Sequence, residues 1–537
     1  MSVTSKSFLQ PLDRVAIALM LVLSLLIGLL LWQGDAVAPR VRDFSWQDKQ
    51  VGAEDTSFTL TFSRPMDTKS VEANLQIDPP LTGKAAWAGR RMAYTLASPA
   101  PYGTSYQVQL QGARDRFTES GDSGRLLQPF SGRFKSRDRA LVYLGVEGEE
   151  QGRLVLYNLT QQRKTILTPK HLVVVDFKPY PAGDSVLFSA TERTSNHQRL
   201  LSSSLYTVTT GIHPGNTADY SEQTINGQDF PAPSLPRLFS QSSDDDVWAG
   251  KIDLVLDSKD YQNLKFDLSA DGQTIVVQRV NQRNAGEFGL WVIRPNQKPQ
   301  PLETEPGGDF MITPDSAAVA FAQGQGVAIL PLRSEAKKTM DFLPQFGMVL
   351  DFAQDGSQAA MVKFNSDYTR SLFLVTNQGV QKQLLRTTGS IISCQFDPLK
   401  ANLYCLLTQL LDGKTYQEQP YLTAIDINSG KQTPLVVLPN QRDVQMSLAP
   451  DGLALLFDQV VTATTPSNSS AQMNVPITNE GEAITTSHLW LLPLLPATSI
   501  VETPDGNKAA SYPRRFLPPQ LQPEQLPLPG FHPRWLP

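Results

Sequence analysis

The chain has 537 residues, of which 40% are apolar and 18% charged, and its formal net charge is -5 at pH 7. This length suggests three or four domains of about 150 residues, and so small a net charge gives no electrostatic basis for nucleic-acid binding. A mean hydropathy of -0.23 excludes a polytopic membrane protein. Two cysteines are too few for a disulfide scaffold or a cysteine-rich metal site.

The first element is an apolar segment at residues 15–32, which contains eighteen residues without a charge. As a helix it would span about 27 Å, close to the thickness of the hydrocarbon core of a bilayer. A buried core helix and a cleaved signal peptide are the alternatives, and Pro39 directly after a cut at Ala38 disfavours the second. We predict a transmembrane signal anchor at 15–32, between a cytoplasmic N terminus at 1–14 and a linker at 33–40.

Residues 41–139 alternate between apolar and polar side chains. Phe58, Leu60 and Phe62 share one face of a predicted strand, and Thr59 lies on the other. Similar short segments follow, separated by Pro, Gly and Asp turns. The pattern predicts half-buried strands in a β-sandwich of about 100 residues.

A motif at Phe62–Asp67, FSRPMD, makes this prediction more specific. Together with YGTSY at Tyr102–Tyr106 and with Asp115, it closely resembles the bacterial immunoglobulin-like domain found in S-layer and other envelope proteins. Arg64 departs from that pattern, because an acidic or small residue is common there. The resemblance implies a spacer or adhesion module and no catalytic residue.

Four basic residues alternate along the predicted last strand of this domain: Arg133, Lys135, Arg137 and Arg139. Alternate residues of a strand point to one face. The stripe is therefore either a solvated face or a surface that contacts a polyanion, such as anionic lipid headgroups or an envelope polymer.

The stretch MSLAPDGLALLF, Met446–Phe457, pairs an apolar anchor with a Pro-Asp-Gly turn and a second apolar strand. Related stretches recur, with anchors 91, 44, 40, 44 and 52 residues apart, at Phe177, Leu268, Ile312, Phe352, Phe396 and Leu448. A period near 40 to 45 residues with four strands per unit is typical of a β-propeller. We predict seven blades over 140–511, with the missing innermost strand of the first blade supplied by the C-terminal region.

These repeats resemble the propeller of the translocation protein TolB and the wider WD-repeat-like class, most closely at Pro450–Gly452. The resemblance implies a fold and leaves the function open. Two long polar loops, 212–247 and 461–487, interrupt the period. Residues 512–537 contain many prolines, which predict an extended C-terminal tail that lies on the propeller or is offered to a partner.

The two cysteines, Cys394 and Cys405, lie at equal distances from the predicted turn at Pro398–Ala401. Residues placed in this way face each other on adjacent antiparallel strands. They are predicted either to form a disulfide or to be two small core residues.

The sequence contains no catalytic, cofactor-binding or metal-binding motif: its five histidines lack paired metal spacing, and a G-x-S-x-G elbow is missing. We therefore predict an all-β, membrane-anchored bacterial protein whose extracytoplasmic, periplasmic propeller binds another envelope protein and is not an enzyme. Carbohydrate or cell-wall binding is the alternative, and a propeller hydrolase or lyase is a third hypothesis.

Overall fold

The computed structural model describes residues 11–32, 38–116, 124–193, 203–212, 248–303, 307–324, 326–332, 341–343, 345–411, 416–439, 443–462, 484–494 and 522–537. These residues are mostly β-strand, which confirms the predicted fold class at that level.

Helix α1 runs over Pro11–Trp32. Among the described residues, none of the helices is both long and apolar enough to cross a membrane. The prediction of a single-pass membrane protein, anchored by residues 15–32 and with a periplasmic bulk, is therefore wrong.

The N-terminal strands form two four-stranded sheets, ordered β1-β3-β6-β5 and β2-β8-β7-β4. Their elements are β1 Val41–Phe44, β2 Gln50–Val51, β3 Ser57–Phe62, α2 Thr68–Asn74, β4 Leu75–Asp78, β5 Gly83–Ala88, β6 Arg91–Leu96, β7 Ser105–Leu110 and β8 Phe130–Ser136. The predicted alternation holds in β3, where Phe58, Leu60 and Phe62 are fully buried. The ring of Phe44 packs edge-on against Phe58 and against Phe130, and so joins the two sheets.

Seven further four-stranded sheets, S1 to S7, are all antiparallel. Their strands are β9 Ala140–Gly145, β10 Leu154–Asn158, β11 Arg163–Ile166 and β36 Gly530–Trp535 in S1; β12 Leu172–Pro179, β13 Ser185–Glu192, β14 Ser204–Thr209 and β15 Ile252–Leu256 in S2; β16 Tyr261–Leu268, β17 Ile275–Asn281, β18 Phe288–Ile293 and β19 Gln300–Pro301 in S3; β20 Phe310–Ile312, β21 Ala318–Gln323, β22 Gly326–Pro331 and β23 Asp341–Leu343 in S4; β24 Met348–Phe352, β25 Gln358–Phe364, β26 Arg370–Thr376 and β27 Gln381–Thr387 in S5; β28 Ile391–Phe396, β29 Asn402–Leu410, β30 Glu418–Asp426 and β31 Gln432–Val437 in S6; and β32 Met446–Leu448, β33 Ala454–Thr462, β34 Ile484–Pro493 and β35 Glu524–Gln525 in S7.

The turn between the first and second strands of S2 to S7 repeats one backbone feature. Each turn contains a residue with a positive φ, and the six are Gly183, Gly272, Ser316, Gly356, Lys400 and Gly452. Glycine adopts this left-handed conformation without the steric cost that a Cβ adds. The Pro-Asp-Gly stretch is therefore one copy of a repeated hairpin, here β32–β33.

Apolar clusters fill the space between every two successive sheets. Adjacent residues of one strand point to opposite faces and enter different clusters: Val276 packs between S3 and S4, whereas Val277 packs between S2 and S3. The series closes, because Leu141 and Tyr143 of S1 pack with Leu456 of S7. The sheets therefore form a closed ring in which both faces of each sheet are buried.

The C-terminal segment closes this ring. Strand β36 pairs with β9 in S1, and Trp535 and Leu536 are 5% and 3% exposed. This pairing agrees with the prediction that the C-terminal region supplies the missing innermost strand, whereas the prediction of an extended tail does not hold for residues 530–535. Proline is tolerated because β36 is an edge strand and Pro533 lies where its register shifts, between Phe531 and Arg534.

Most of the two predicted loops, residues 213–247 and 463–483, lies outside the described residues. The predicted loop 461–487 extends too far, since β33 continues to Thr462 and Ile484 already begins β34. The two central strands of S7 explain this difference, because the residues at their ends still pair with each other, as Thr462 does with Ile484.

Leu536→Ala should lower the free energy of unfolding by about 2–5 kcal/mol, because it leaves a cavity between S1 and S2. Urea unfolding followed by tryptophan fluorescence measures the loss. Leu399→Ala is the control, since Leu399 is 52% exposed and its truncation should cost little. Equal effects of the two substitutions would contradict the placement of the C terminus inside the ring.

Candidate functional site: a polar ring on the first strands

The first strands of the seven sheets carry one equivalent residue each, five positions before the left-handed turn residue. S1 lacks this turn, so its equivalent residue is found from a hydrogen bond. The N–H of Trp535 donates to Ser447 of S7, which makes the preceding residue, Arg534, the member from S1. We name this set the axial ring, and it consists of Arg534, Lys178, Asp267, Met311, Asp351, Gln395 and Ser447.

Four members of the axial ring link successive sheets. Asp267 Oδ2 accepts a hydrogen bond from the backbone N–H of Ile312 at 2.7 Å, and Asp351 Oδ2 accepts one from Phe396 at 2.9 Å. Two further side chains accept a backbone N–H from the next sheet. Gln395 Oε1 accepts from Leu448 at 2.6 Å, and Ser447 Oγ accepts from Trp535 at 3.1 Å.

Two other members are cations. Lys178 forms an ion pair with Asp267, so it links S2 to S3 with a donor where the other sheets use an acceptor. Arg534 lies in S1, and the residue that would donate to it from S2 is Pro179, which has no N–H.

Asp458 and His532 lie beside the ring. Asp458 is fully buried, and its carboxylate accepts 2.7 Å hydrogen bonds from the backbone N–H groups of Gln445 and His532. The His532 side chain approaches Asp176, with Nε2 3.7 Å from Oδ1. Asp458 therefore holds the closing strand β36 against S7.

Burial changes the titration of these groups. It raises the pKa of Asp351 and of Asp458 to about 7, although backbone N–H donors partly oppose the shift. It lowers the pKa of His532 to about 4. The pKa of Arg534 is also lowered by burial, with Asp176, Asp458, Asp267 and Asp351 acting in the opposite direction. The site can therefore hold or release protons near neutral pH.

The sequence-predicted residues lie elsewhere. Cys394 and Cys405 occupy opposite positions on β28 and β29, their sulfur atoms are bonded, and they are buried between S5 and S6. The disulfide fixes a hairpin inside the ring of sheets, and neither sulfur is available to a ligand.

The basic stripe is engaged in ion pairs within the chain. Lys135 pairs with Asp138, and Arg137 pairs with Glu54. Arg139 lies 2.5 Å from the buried carboxylate of Asp451, and Arg133 also has an interaction partner. Polyanion binding by this stripe stays a prediction, and these pairs compete with it.

Sequence reasoning missed the axial ring. Its members differ in chemical type, and Arg534 belongs to the segment that was predicted to be a tail. The detectable signal was positional: Asp267 and Asp351 both lie five residues before an Asp-Gly turn glycine. Among the described residues, no group of three or more His, Cys, Asp or Glu side chains could hold a metal ion.

Comparison with known proteins supports the N-terminal part of the prediction. Residues 35–130 match the family described as "Bacterial Ig-like domain", which confirms the immunoglobulin-like resemblance of this region. Its relation to S-layer proteins and the WD-repeat-like character of the C-terminal repeats stay predictions. No curated protein matches the chain.

Several solved structures are similar at low identity. An oligogalacturonate lyase in complex with manganese is 12% identical, with 64% of this chain and 83% of that chain covered and a TM-score of 0.40. TolB from Acinetobacter baumannii is 10% identical, with 67% and 79% covered and a TM-score of 0.35. A putative TolB from Agrobacterium tumefaciens is 9% identical, with 56% and 89% covered and a TM-score of 0.33. None of these similarities assigns an activity to this chain.

Asp351→Asn should reduce the dependence of stability on pH. The pKa of this carboxyl is about 7 in the folded protein against an ordinary 3.8. Its stabilising contribution is therefore fully present below about pH 4 and is lost as the pH rises through about 7. Asparagine can still accept the Phe396 N–H but cannot ionise. The fall in melting temperature between pH 5 and pH 8 should be smaller in the variant than in the wild type.

Asp355→Asn is the matched control. Asp355 lies on the adjacent turn, is paired with Lys400, and has a pKa below its ordinary value. Its carboxyl is ionised throughout this pH range, so the substitution should leave the difference between pH 5 and pH 8 unchanged. Identical pH profiles for Asp351→Asn and the wild type would contradict the role of Asp351.

Proposed function

We propose that the seven sheets are the blades of one β-propeller and that this propeller binds another protein. The chain would then be a binding or scaffold protein, with the immunoglobulin-like domain as a spacer or second binding module. We further propose that it is not an enzyme. The carboxylates of Asp267 and Asp351 in the axial ring, and that of Asp458 beside it, support this view, because each accepts a hydrogen bond from a backbone N–H that fixes its orientation.

Exposed aromatic side chains on two neighbouring sheets carry the proposal. Phe364 and Tyr368, in S5, are 57% and 92% exposed, and Tyr416, in S6, is 64% exposed. All three lie at the connection between the second and third strands of their sheets, so they belong to the same end of the ring. We name them the aromatic patch.

The protein holds part of this patch in place. Asn365 Nδ2 donates to Thr369 Oγ1 and to Ser371 Oγ, both at 2.9 Å, which orders the turn that presents Tyr368. An exposed ion pair between Arg386 and Asp367 lies on the same turn and the neighbouring strand. Tyrosine, phenylalanine and arginine are enriched in protein interfaces, because a rigid aromatic anchor loses little conformational entropy on binding.

A photo-crosslinking amino acid at position 368 should capture a discrete protein neighbour in intact cells, whereas the same group at position 399 should not. Leu399 is 52% exposed and lies in a first-to-second strand turn, at the opposite end of its sheet. Tyr368→Ser should weaken binding to the captured protein by about fivefold or more, as expected for an interface anchor. Leu399→Ser should leave the affinity unchanged. The same crosslinked proteins from both positions would contradict the proposal.

Carbohydrate binding is a second candidate, because the N-terminal sheets contain an open cavity of about 780 Å³. Its lining includes Glu72, Gln76, Gln107 and Gln109, and Gln76 lies directly opposite Gln109 on the paired strands β4 and β7. Amide and carboxylate groups can donate to and accept from sugar hydroxyls. Tyr94 adds an aromatic side chain to the wall.

Gln109→Ala should reduce cosedimentation of the full-length protein with insoluble cell-wall polysaccharide by about threefold or more, since it removes one or two hydrogen bonds. Gln300→Ala is the control, because Gln300 is an exposed residue of S3. If neither substitution changes the bound fraction, or if the wild type does not sediment, carbohydrate binding by this cavity is wrong.

A further inference from the structure

The axial ring changes its chemistry where the two ends of the propeller sequence meet. From S5 to S1, each ring member accepts a backbone N–H from the next sheet, ending with Ser447 and Trp535. From S1 to S2 this bond is missing for two reasons: the ring member is Arg534, a donor, and its counterpart Pro179 has no N–H. An acceptor is also missing in S2, where Lys178 is a donor, and in S4, where Met311 is apolar. Arg534 differs from Lys178 because it has no direct ion pair among the described residues.

Arg534 finds no acceptor within the described chain. Its guanidinium makes no hydrogen bond and no direct ion pair with any residue that the structure describes, and the residue is partly exposed. A guanidinium carries five N–H donors in a planar fork. Nearby, Nε2 of His532 also lacks a hydrogen-bond partner among the described residues. Water can satisfy the donors of a partly exposed guanidinium, and an anion with two acceptor oxygens can replace that water.

The charges around Arg534 permit an anion when the buried carboxyls are protonated. Six other titratable groups face it or lie beside those that do: Asp176, Lys178, Asp267, Asp351, Asp458 and His532. Asp267 is neutralised by Lys178, and His532 is uncharged at neutral pH. Asp351 and Asp458 titrate near pH 7. Among these six groups, Asp176 is then the one remaining carboxyl near Arg534 that has no cation of its own.

We propose that Arg534 is the anchor of an oxyanion-binding site at the axis of the ring of sheets. A carboxylate or a phosphate group would accept two parallel hydrogen bonds from the guanidinium fork, and it would supply the acceptors that Arg534 lacks within the described chain. Access is available, since Arg534 and Asp351 both keep partial solvent exposure. This site would bind a small anion at the axis, and it is separate from the aromatic patch at the end of S5 and S6.

The affinity of this site for an anion should rise as the pH falls. As the pH falls through about 7, Asp351 and Asp458 take up protons and stop repelling the anion. We expect an affinity about tenfold higher at pH 6 than at pH 8, which corresponds to about 1.4 kcal/mol.

The test uses the full-length protein labelled with 15N-arginine. The Nε–H resonance of Arg534 is assigned by its absence in Arg534→Lys, and it is followed during titration with sodium acetate and, separately, with sodium phosphate. Sodium chloride keeps the ionic strength constant. A saturable shift is expected with at least one of the two anions. Saturation by acetate alone identifies a carboxylate site, saturation by phosphate alone identifies a phosphate site, and both outcomes support the proposal.

Arg386 is the internal control, because its guanidinium is already paired with Asp367 on the surface. Its resonance should not saturate. In parallel, the anion that shifts Arg534 should raise the melting temperature of the wild type at pH 6, and this rise should be lost in Arg534→Lys. The proposal is overturned if neither anion shifts the Arg534 resonance and neither raises the melting temperature. It is also overturned if Arg386 follows the same titration curve, which would show an adventitious ion only.

Discussion

Burial of both faces of every C-terminal sheet is the constraint on which the rest of the structure depends. A single sheet that is apolar on both sides has no stable place in water, and it must find a partner for each face. Val276 and Val277, adjacent in one strand, meet this need on opposite sides. Because each sheet needs two neighbours, the series is stable only when the last sheet packs against the first, as S7 does against S1.

Closure has a chemical consequence at the first strands. These strands lie beside one another from sheet to sheet, and their backbone N–H groups need acceptors that no strand of the same sheet supplies. Side chains of Asp267, Asp351, Gln395 and Ser447 provide them. The same positions therefore fix the spacing of the sheets and place ionisable groups together. At the seam occupied by Arg534 this structural requirement disappears, and a group suited to binding takes its place.

The sequence predicted well those features that depend on local order. Alternation marked the buried face of β3, and the repeated Pro-Asp-Gly hairpin located the first two strands of S2 to S7, because a left-handed turn residue restricts the choice of residue. Counting strands also indicated that the C-terminal region supplies the missing strand of S1, but it did not show which residues form that strand. Trp535 and Leu536 enter the core through a proline-rich segment, and the local composition around Pro533 gives no sign of the shifted register that accommodates it. Hydropathy alone also misled the interpretation of residues 15–32.

Amide hydrogen exchange over residues 530–536, read by mass spectrometry, tests the central claim of closure most directly. A strand held in S1 by β9 and covered by two neighbouring sheets can exchange only when the ring opens. We expect residues 530–536 to be protected from exchange as strongly as β9, residues 140–145. Complete exchange within seconds, while β9 remains protected, would show that the C terminus lies outside the ring and would contradict the account.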